Sequence, residues 1–289
     1  MTPCCLFAER FEYEQTAMGV PVRIILYSES QQKADAAAKD AFAEFQRLNG
    51  IMSDYDSESE LSQLCTNGGS LHVSDDLFAV LKASKEYCRV SDGAFDITVG
   101  PMVRLWRRSR RQKELPKQKY IDEAKQLAGN HLWEIDEAAQ SVRLLRSGMK
   151  LDLGGIAKGF AIDKAFEAVA KHQITVQLVD AGGDMRLGDA PPLTDGWTVK
   201  MDGGDDVLLH NTASATSGGK FQFVEIAGVR YAHIVDPKTG LGLTESPTVT
   251  VTAPAAAQAD ALASAAAVLG KAKAHILEKQ FPGIKIYWH

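Results

Sequence analysis

The sequence predicts an α+β fold, a single compact domain with a mostly antiparallel sheet and packed helices. Short runs of β-branched and aromatic residues recur along the chain, and stretches with helical spacing lie between them. Neither a tandem repeat nor a linker-like segment divides the 289 residues. A chain of this length is long enough for one large domain.

Regular spacing in the first half of the chain predicts three helices and three strands. Apolar side chains recur at helical intervals, and Ser74 is a residue type that caps helix N-termini. Two of the strand-like runs flank an acidic turn, which predicts a hairpin. The predicted helices are 32–51, 74–89 and 124–130, and the predicted strands are 22–27, 132–135 and 141–145.

The second half alternates more often between strand and helix. Its last helix is strongly alanine-rich, which is typical of a buried helix. The predicted helices are 160–172 and 255–269. The predicted strands are 175–179, 197–201, 221–226, 230–234, 249–251 and 284–288.

Composition excludes several classes of protein. A net charge of -5 argues against a general nucleic-acid binder, whose surface would be basic. Cys4, Cys5, Cys65 and Cys88 show no Cys-x-x-Cys spacing, so neither a zinc site nor a disulfide framework is expected. No apolar run approaches membrane-spanning length, so no membrane-spanning segment is expected.

The first 17 residues are interpreted as an N-terminal segment, and 18–289 as the domain. The N-terminus lacks a basic region followed by a long apolar core, so no intact signal peptide is expected. Two alternatives stay open. Either the protein is cytoplasmic, or 1–17 is the remnant of an export region that has been removed.

The segment Leu151-Asp-Leu-Gly-Gly-Ile-Ala-Lys-Gly-Phe-Ala-Ile-Asp163 predicts a short strand, a double-glycine turn and a helix start. Glycines let backbone N–H groups approach an anion, and a helix N-terminus adds partial positive charge. Lys158 is placed to touch a phosphate, and Asp152 is the carboxylate before the turn. Since the segment matches neither common nucleotide fingerprint, these residues alone indicate only a phosphate or nucleotide site.

The alanine-rich helix contains a second candidate site. Asp260 and Ser264 are four residues apart and therefore project from the same helix face. An ionised carboxylate in so apolar a helix needs a partner or a metal, and oxygen ligands suit Mg²⁺. The alternative is that Asp260 forms a cap or salt bridge while Ser264 only packs.

Three further features each allow a functional and a structural interpretation. His233, at a predicted strand end before Asp236-Pro-Lys-Thr-Gly240, is a candidate proton acceptor or a structural residue beside a turn. Asp96 lies between two glycines and either serves the site or satisfies a turn. The five arginines within 104–111 are expected to be a solvated surface, and the alternative is a patch for an acidic partner or phosphate.

Taken in order, these motifs resemble the ApbE family, the FAD:protein FMN transferases. The resemblance runs from about Met18 to Tyr287, and its specificity lies in the number and order of the motifs. They are Met18-Gly, Met52-Ser-Asp-Tyr55, Ser59-Glu-Leu61, Gly93-Ala-Phe-Asp-Ile-Thr98, Asp152-Leu-Gly-Gly-Ile-Ala-Lys-Gly159, Asp180-Ala-Gly-Gly183, His233-Ile-Val-Asp-Pro-Lys-Thr-Gly240 and Ala259-Asp-Ala-Leu-Ala-Ser-Ala265.

The resemblance implies a T-fold-like α+β domain and a Mg²⁺-dependent enzyme with FAD as its substrate. Such an enzyme cleaves the FAD pyrophosphate, links FMN through its phosphate to a threonine hydroxyl of an acceptor flavoprotein in a redox complex, and releases AMP. The alternatives are a Mg²⁺-dependent FAD pyrophosphatase and a non-catalytic FAD-binding protein. The family is commonly exported or lipid-anchored, which implies a periplasmic or membrane-anchored location.

The resemblance also assigns expected roles to individual residues. Asp260, Ser264 and the Gly155 carbonyl would hold the metal, and His233, with Asp236 as second choice, would accept the hydroxyl proton. The residues expected to hold FAD are Met18, Tyr55, Ala94, Phe95, Asp96, Asp152, Lys158 and His233.

Two positions depart from the family pattern. Val20 and Ser264 stand where threonine is usual. Serine keeps the ligating oxygen but loses the methyl group that restricts its rotamer, so metal binding is expected to survive.

Overall fold

The computed structural model describes residues 8–67, 69–201, 206–219, 222–245 and 247–289. Three residues named above lie outside the described residues: Cys4, Cys5 and Phe221. Phe221 is the first residue of the predicted strand 221–226. No helix in the described ranges is long and apolar enough to cross a membrane.

Four antiparallel sheets contain the strands of the described residues. The largest has seven strands in the order β1-β2-β6-β7-β10-β13-β14, and the others are β3-β5-β4, β8-β9 and β11-β12. The strands are β1 (Glu9–Ala17), β2 (Val20–Ser28), β3 (Gly69–His72), β4 (Trp133–Asp136), β5 (Ser141–Leu144), β6 (Gln177–Ala181), β7 (Asp184–Leu187), β8 (Trp197–Lys200), β9 (Asp206–Leu209), β10 (Thr212–Ser217), β11 (Phe223–Ile226), β12 (Val229–Ala232), β13 (Val249–Ala253) and β14 (Lys285–Trp288).

The helices lie between these strands along the chain, and three of them form a layer on the main sheet. Ser30 and Ser74 cap the first and third helices, because their side chains accept the backbone N–H groups of Lys33 and Leu77. The helices are α1 (Gln31–Met52), α2 (Glu60–Asn67), α3 (Asp75–Val90), α4 (Gly100–Gln112), α5 (Gln118–Lys125), α6 (Ala157–Lys171), α7 (Ala256–Leu269) and α8 (Lys271–Gln280).

The main sheet buries both of its faces. Alternate residues of β2 point to opposite sides, so Ile24 joins the large core under α1, α6 and α7 while Ile25 joins a smaller cluster with Trp197 of β8. This burial on both sides explains the continuous apolar run in β2.

The segment before Met18 is part of this sheet through its described residues. Glu9–Ala17 forms β1 and pairs with β2 along its whole length. Met18 and Gly19 form the two-residue turn between them, and both have positive φ angles, 49° and 78°. Such a turn matches the twist of a hairpin and favours glycine.

Helix α7 is buried on nearly every side, which its small alanine side chains permit. It packs against α6 on one side and against β10 and β13 on another. The approach to α6 is close enough that a Cβ at Gly159 would lie 2.3 Å from the Ala256 carbonyl oxygen. Glycine is therefore required at this crossing.

A second apolar cluster joins α4 to β11 and β12. Trp106 is its centre, and the indole N–H donates to the Ala232 carbonyl over 3.0 Å. The same ring packs on Gly242, where an added Cβ would lie 2.6 Å from it. Trp106 thereby holds the chain on both sides of His233 against α4.

The predicted α+β fold with a mostly antiparallel sheet is confirmed, although several local predictions were wrong. The helix expected at 124–130 lies at Gln118–Lys125, where Ile121 and Ala124 are buried. Residues 151–153 form no strand, since the Asp152 N–H donates to the Ile97 carbonyl in a loop contact. Sequence patterns also missed β1, β3, β7, β9, β10, α2, α4 and α8.

Candidate active site

A cavity of about 250 Å³ lies between α4, the start of α6 and the end of α7. Most of the residues expected at the site line it, although they come from distant parts of the chain. They are Tyr55, Ala94–Asp96, Asp152, Gly155, His233 and Ser264.

The loop from Asp152 to Gly155 forms one wall of this cavity. The Asp152 carboxylate accepts the Gly154 N–H over 2.8 Å and pairs with the Arg107 guanidinium over 3.0 Å. Burial raises the pKa of Asp152, the nearby Asp54 carboxylate raises it further, and Arg107 opposes both effects. Arg107 therefore favours the ionised form of Asp152.

Gly155 and Ser264 meet at the base of the cavity. A Cβ at Gly155 would lie only 3.0 Å from Ser264 Oγ and 3.4 Å from the Phe95 ring. Any side chain at position 155 would therefore occupy the space beside the serine oxygen. The expected grouping of the Gly155 backbone with Ser264 is present in the structure.

Asp260 lies one helical turn before Ser264 and is buried. Its Oδ2 atom accepts the Gly159 N–H, in the first turn of α6, over 3.2 Å. Burial raises the pKa of Asp260 to about 7, with Lys158 opposing and Asp184 reinforcing the shift. This carboxylate is held near the cavity floor and has one protein donor.

Lys158 does not line the cavity; its ammonium group pairs with the buried Asp184 carboxylate. Burial favours its neutral form, but the charges of Asp260 and Asp184 outweigh burial and raise the pKa of Lys158 above its ordinary value. Lys158 is therefore a permanent cation beside two carboxylates.

His233 faces the cavity from the opposite side, directly after β12. Its Nδ1 atom lies 3.3 Å from the Gln222 carbonyl oxygen, which assigns the proton to Nδ1 and leaves Nε2 as an acceptor. Burial lowers the pKa of His233, and Arg110 and Lys158 lower it further. The imidazole is therefore neutral at pH 7.

Four of the expected residues lie outside the cavity lining: Lys158, Asp260, Met18 and Asp236. Met18 is in the β1–β2 turn, packed against the edge of the main core. The Asp236 carboxylate accepts the Lys238 N–H over 2.8 Å within its own turn. Of the two candidate proton acceptors, only His233 faces the cavity.

Asp96 and Tyr55 stand in contrasting surroundings at the cavity. Asp96 accepts the backbone N–H and the hydroxyl of Thr98 over 2.8 and 2.6 Å and caps a short 3-10 helix at Ile97–Val99. Burial raises the pKa of Asp96. The Tyr55 side chain is 80% exposed, and its ring stacks under Arg107 at 4.4 Å.

Sequence reasoning missed two residues of this region, Arg107 and Asp184. Arg107 was included in a solvated arginine run, but it is half-buried and pairs with Asp54 as well as Asp152. Pro101 near the start of α4 and the helical spacing of Met102 and Trp106 could have indicated a helix with one inward face. No local pattern singles out Asp184.

The amino-acid sequence is similar to a known family and to proteins of known name. The sequence model of the ApbE family matches residues 18–288. The chain is 30% identical over 248 residues to the FAD:protein FMN transferase of Chlamydia muridarum, covering 84% of this chain and 78% of that protein. It is 31% identical over 295 residues to the enzyme of the same name from Treponema pallidum, covering 93% of this chain and 82% of that protein.

Solved structures show the same likeness in three dimensions. The ApbE protein of Thermotoga maritima superposes with a TM-score of 0.84 at 30% identity, covering 97% of this chain and 94% of that one. The flavin transferase ApbE of Vibrio cholerae superposes with a TM-score of 0.85 at 25% identity, covering 97% of this chain and 93% of that one. The expected family is confirmed, and this chain belongs to the ApbE family.

Proposed function

We propose that this chain is an FAD:protein FMN transferase, the activity named for its relatives. FMN passes from FAD to a threonine hydroxyl of an acceptor flavoprotein, and AMP is released. The observation that carries the proposal is a single cavity in which the Asp152–Gly155 loop, Ser264 and His233 face one another. By resemblance to the family, the acceptor is a subunit of a redox complex.

A divalent cation fits the oxygen groups at the base of this cavity. Asp260 is a buried carboxylate with one protein donor, and the Gly155 backbone lies against Ser264 Oγ. The described residues contain no cluster of three or more His, Cys, Asp or Glu side chains suited to a metal. A site with one carboxylate and neutral oxygens suits Mg²⁺, which keeps several waters and binds substrate phosphates.

Asp260, Ser264 and the Gly155 carbonyl would hold the ion. When bound, Mg²⁺ would offset negative charge on the pyrophosphate. Lys158 adds fixed positive charge behind the same loop, because both neighbouring carboxylates favour its protonated form. Gly154 and Gly155 carry no side chain, which lets the backbone of this loop approach the phosphates.

His233 supplies the proton acceptor in this proposal. Its neutral imidazole takes the proton of the threonine hydroxyl as the oxygen–phosphorus bond forms. The bond between that phosphorus and the bridging oxygen breaks, and the bridging oxygen leaves with AMP. Such phosphoryl transfer depends mainly on positioning and charge neutralisation, which the cavity walls provide.

Intact mass spectrometry tests the reaction directly. The protein is incubated with FAD, Mg²⁺ and a candidate acceptor flavoprotein, and AMP is quantified by chromatography. We expect a mass gain of one FMN moiety on the acceptor and one AMP for each adduct. FMN and AMP without an adduct would indicate hydrolysis by water at the same site, and unchanged FAD would refute both enzymatic activities.

A further inference from the structure

One face of α4 carries positive charge that the proposed reaction does not use. We propose that this face and the adjacent Lys150, together called the basic groove, bind an acidic segment of the acceptor protein. The segment lies beside the threonine that receives FMN. The basic groove consists of Arg104, Arg111, Lys113 and Lys150. The inference rests on the proposed function, because it identifies how the acceptor docks at that site.

Helical spacing brings the groove residues together. Arg104, Arg107 and Arg111 are separated by three and four positions and share one face of α4. Lys150 joins them because α4 begins against its backbone: a Cβ at Gly100 would lie 2.4 Å from the Lys150 carbonyl oxygen. Lys113, with a left-handed φ of 56°, ends the helix at the far end of the groove.

Two open cavities run along this face. The first, of about 440 Å³, is lined by Arg104, Arg111 and Lys150, and the second, of about 600 Å³, by Arg111 and Lys113. Because Arg111 lines both cavities, the two are adjacent along α4, and together they can hold an extended peptide. None of the groove residues lines the cavity of the candidate active site, which is called the flavin cavity below.

The groove cations have no carboxylate partners within the described ranges. None of the four forms an ion pair there, whereas Arg107 is already paired with Asp54 and Asp152. The acidic side chains at the groove are Asp54, which is engaged by Arg107, and the exposed Glu225. Unpaired positive charge on a chain of net charge -5 indicates a complementary partner with negative charge.

The groove is continuous with the flavin cavity. Tyr55 and Arg107 line that cavity and both groove cavities. A peptide in the groove would therefore pass the mouth of the flavin cavity, where its threonine must meet the phosphate. Carboxylates beside that threonine can pair with Arg104 and Arg111, and guanidinium groups favour bidentate pairs with carboxylates.

Binding of a labelled peptide tests the inference without requiring transfer. The probes are two fluorescein-labelled 15-residue peptides with a central threonine, one flanked by Asp and Glu and the other by Asn and Gln. The double variant Arg104→Glu/Arg111→Glu is compared with Lys271→Glu/Lys273→Glu, which makes the same charge change at exposed positions of α8. Anisotropy is measured at 50 and 300 mM NaCl.

We expect the wild type and the α8 variant to bind the acidic peptide at least tenfold more tightly than the neutral one at 50 mM NaCl. The groove variant should lose this preference, and 300 mM salt should weaken it in the wild type. Equal binding of the two peptides by the wild type, or equal weakening in both variants, would overturn the inference.

FAD measurements separate the groove from the flavin site. The groove variant should bind FAD, followed by flavin fluorescence, and cleave it without acceptor within twofold of the wild type. A tenfold loss of either would assign the groove to FAD and overturn the inference. Selective binding of the acidic peptide by a wild type that forms no FMN adduct would instead count against the transferase function alone.

Discussion

At the scale of single residues, the site depends on ionisable groups whose neighbours set their charge. Burial and Asp54 raise the pKa of Asp152 while Arg107 lowers it, and Asp184 and Asp260 raise the pKa of the neighbouring Lys158. His233 is in the opposite situation, since burial and nearby cations favour its neutral form. Perturbed groups of this kind cluster at functional sites.

The Asp260→Asn variant tests the metal site. Asparagine keeps the shape of the side chain and can still accept the Gly159 N–H, so the fold should survive. It removes the negative charge that would bind Mg²⁺, so Mg²⁺-dependent AMP release should fall at least 100-fold. AMP release and the thermal unfolding midpoint are measured together.

Ser264→Thr is the matched control for that variant, because threonine keeps the hydroxyl oxygen. It should retain turnover within a few-fold, whereas Ser264→Ala should lose most of it. Full Mg²⁺-dependent activity in Asp260→Asn would refute the metal assignment.

The pH dependence of transfer tests His233. Since its pKa lies below the ordinary value of 6.5, the neutral form should predominate at pH 7, and the rate should fall only as pH drops through that lowered pKa. His233→Gln should remove this acidic limb and reduce kcat by about 100- to 10,000-fold. Transfer rates are measured from pH 5 to 8 at saturating FAD and saturating Mg²⁺, because bound metal keeps Asp260 ionised over this range. A variant that keeps both the rate and the acidic limb would exclude His233 as the proton acceptor.

At the scale of elements, the contact between α6 and α7 positions the candidate metal ligands. Gly155 and Gly159 flank the start of α6, whereas Asp260 and Ser264 lie on α7. Asp163, also on α6, accepts the N–H groups of Ala256 and Ala257 over 2.9 Å and so caps α7 from a neighbouring helix. The contact with α6 therefore sets how close α7 lies to the start of α6. It also sets the position of the α7 face that carries Asp260 and Ser264.

Gly159→Ala should disturb this crossing. The new Cβ would meet the Ala256 carbonyl oxygen at 2.3 Å, and overpacking of this kind typically costs about 1–3 kcal/mol. This cost should exceed the intrinsic helix preference for alanine over glycine of about 1 kcal/mol. Urea unfolding should show a lower free energy of unfolding, and AMP release should fall because α7 shifts.

Gly50→Ala provides the control. Gly50 is inside α1, and an added Cβ would meet nothing within 4 Å. This variant should gain about 0.5–1 kcal/mol in the free energy of unfolding and keep wild-type turnover. If Gly159→Ala were as stable as Gly50→Ala, the close approach of α6 and α7 would be wrong.

At the scale of the whole molecule, one sheet brings motifs that are distant in sequence to the same end of neighbouring strands. β2, β6, β7, β10 and β13 are adjacent in the sheet but span more than 200 residues of sequence. The Met18–Gly19 and Gly182–Gly183 turns meet there, since a Cβ at Gly182 would lie 3.1 Å from Val20. Such long-range pairing forms only when the whole domain folds, so the site should unfold together with the sheet.

Ligand binding should therefore stabilise the entire domain. At an FAD concentration of about 100 times Kd, linkage predicts a gain of about 2.7 kcal/mol. For a domain of this size, that gain corresponds to a rise in Tm of roughly 5 °C. Differential scanning fluorimetry with FAD, and with NAD⁺ as a dinucleotide that lacks the flavin, measures the effect. We expect a clear rise with FAD and a smaller one with NAD⁺; no rise with FAD would contradict the assignment of the cavity.

Much of the local structure could be predicted because its causes are local. Ser74 caps α3 as its residue type indicates, and the four-residue spacing of Asp260 and Ser264 puts both on one face of α7. The order of motifs also identified the family, and the alternation of strand-like and helical runs identified the α+β class. By contrast, α4 was missed because its arginines obscured a helix whose inward face is carried by Met102 and Trp106.

The sequence by itself determined the family, the fold class and the residue types from which the site is built. Only the tertiary structure decided which of them meet: Gly155 against Ser264, His233 across the cavity, and Arg107 between Asp54 and Asp152. The physical reason is that caps, turns and helix faces depend on neighbours a few residues away. Pairs separated by 45 to more than 100 residues depend on the order of strands and on helix packing, which no local pattern encodes.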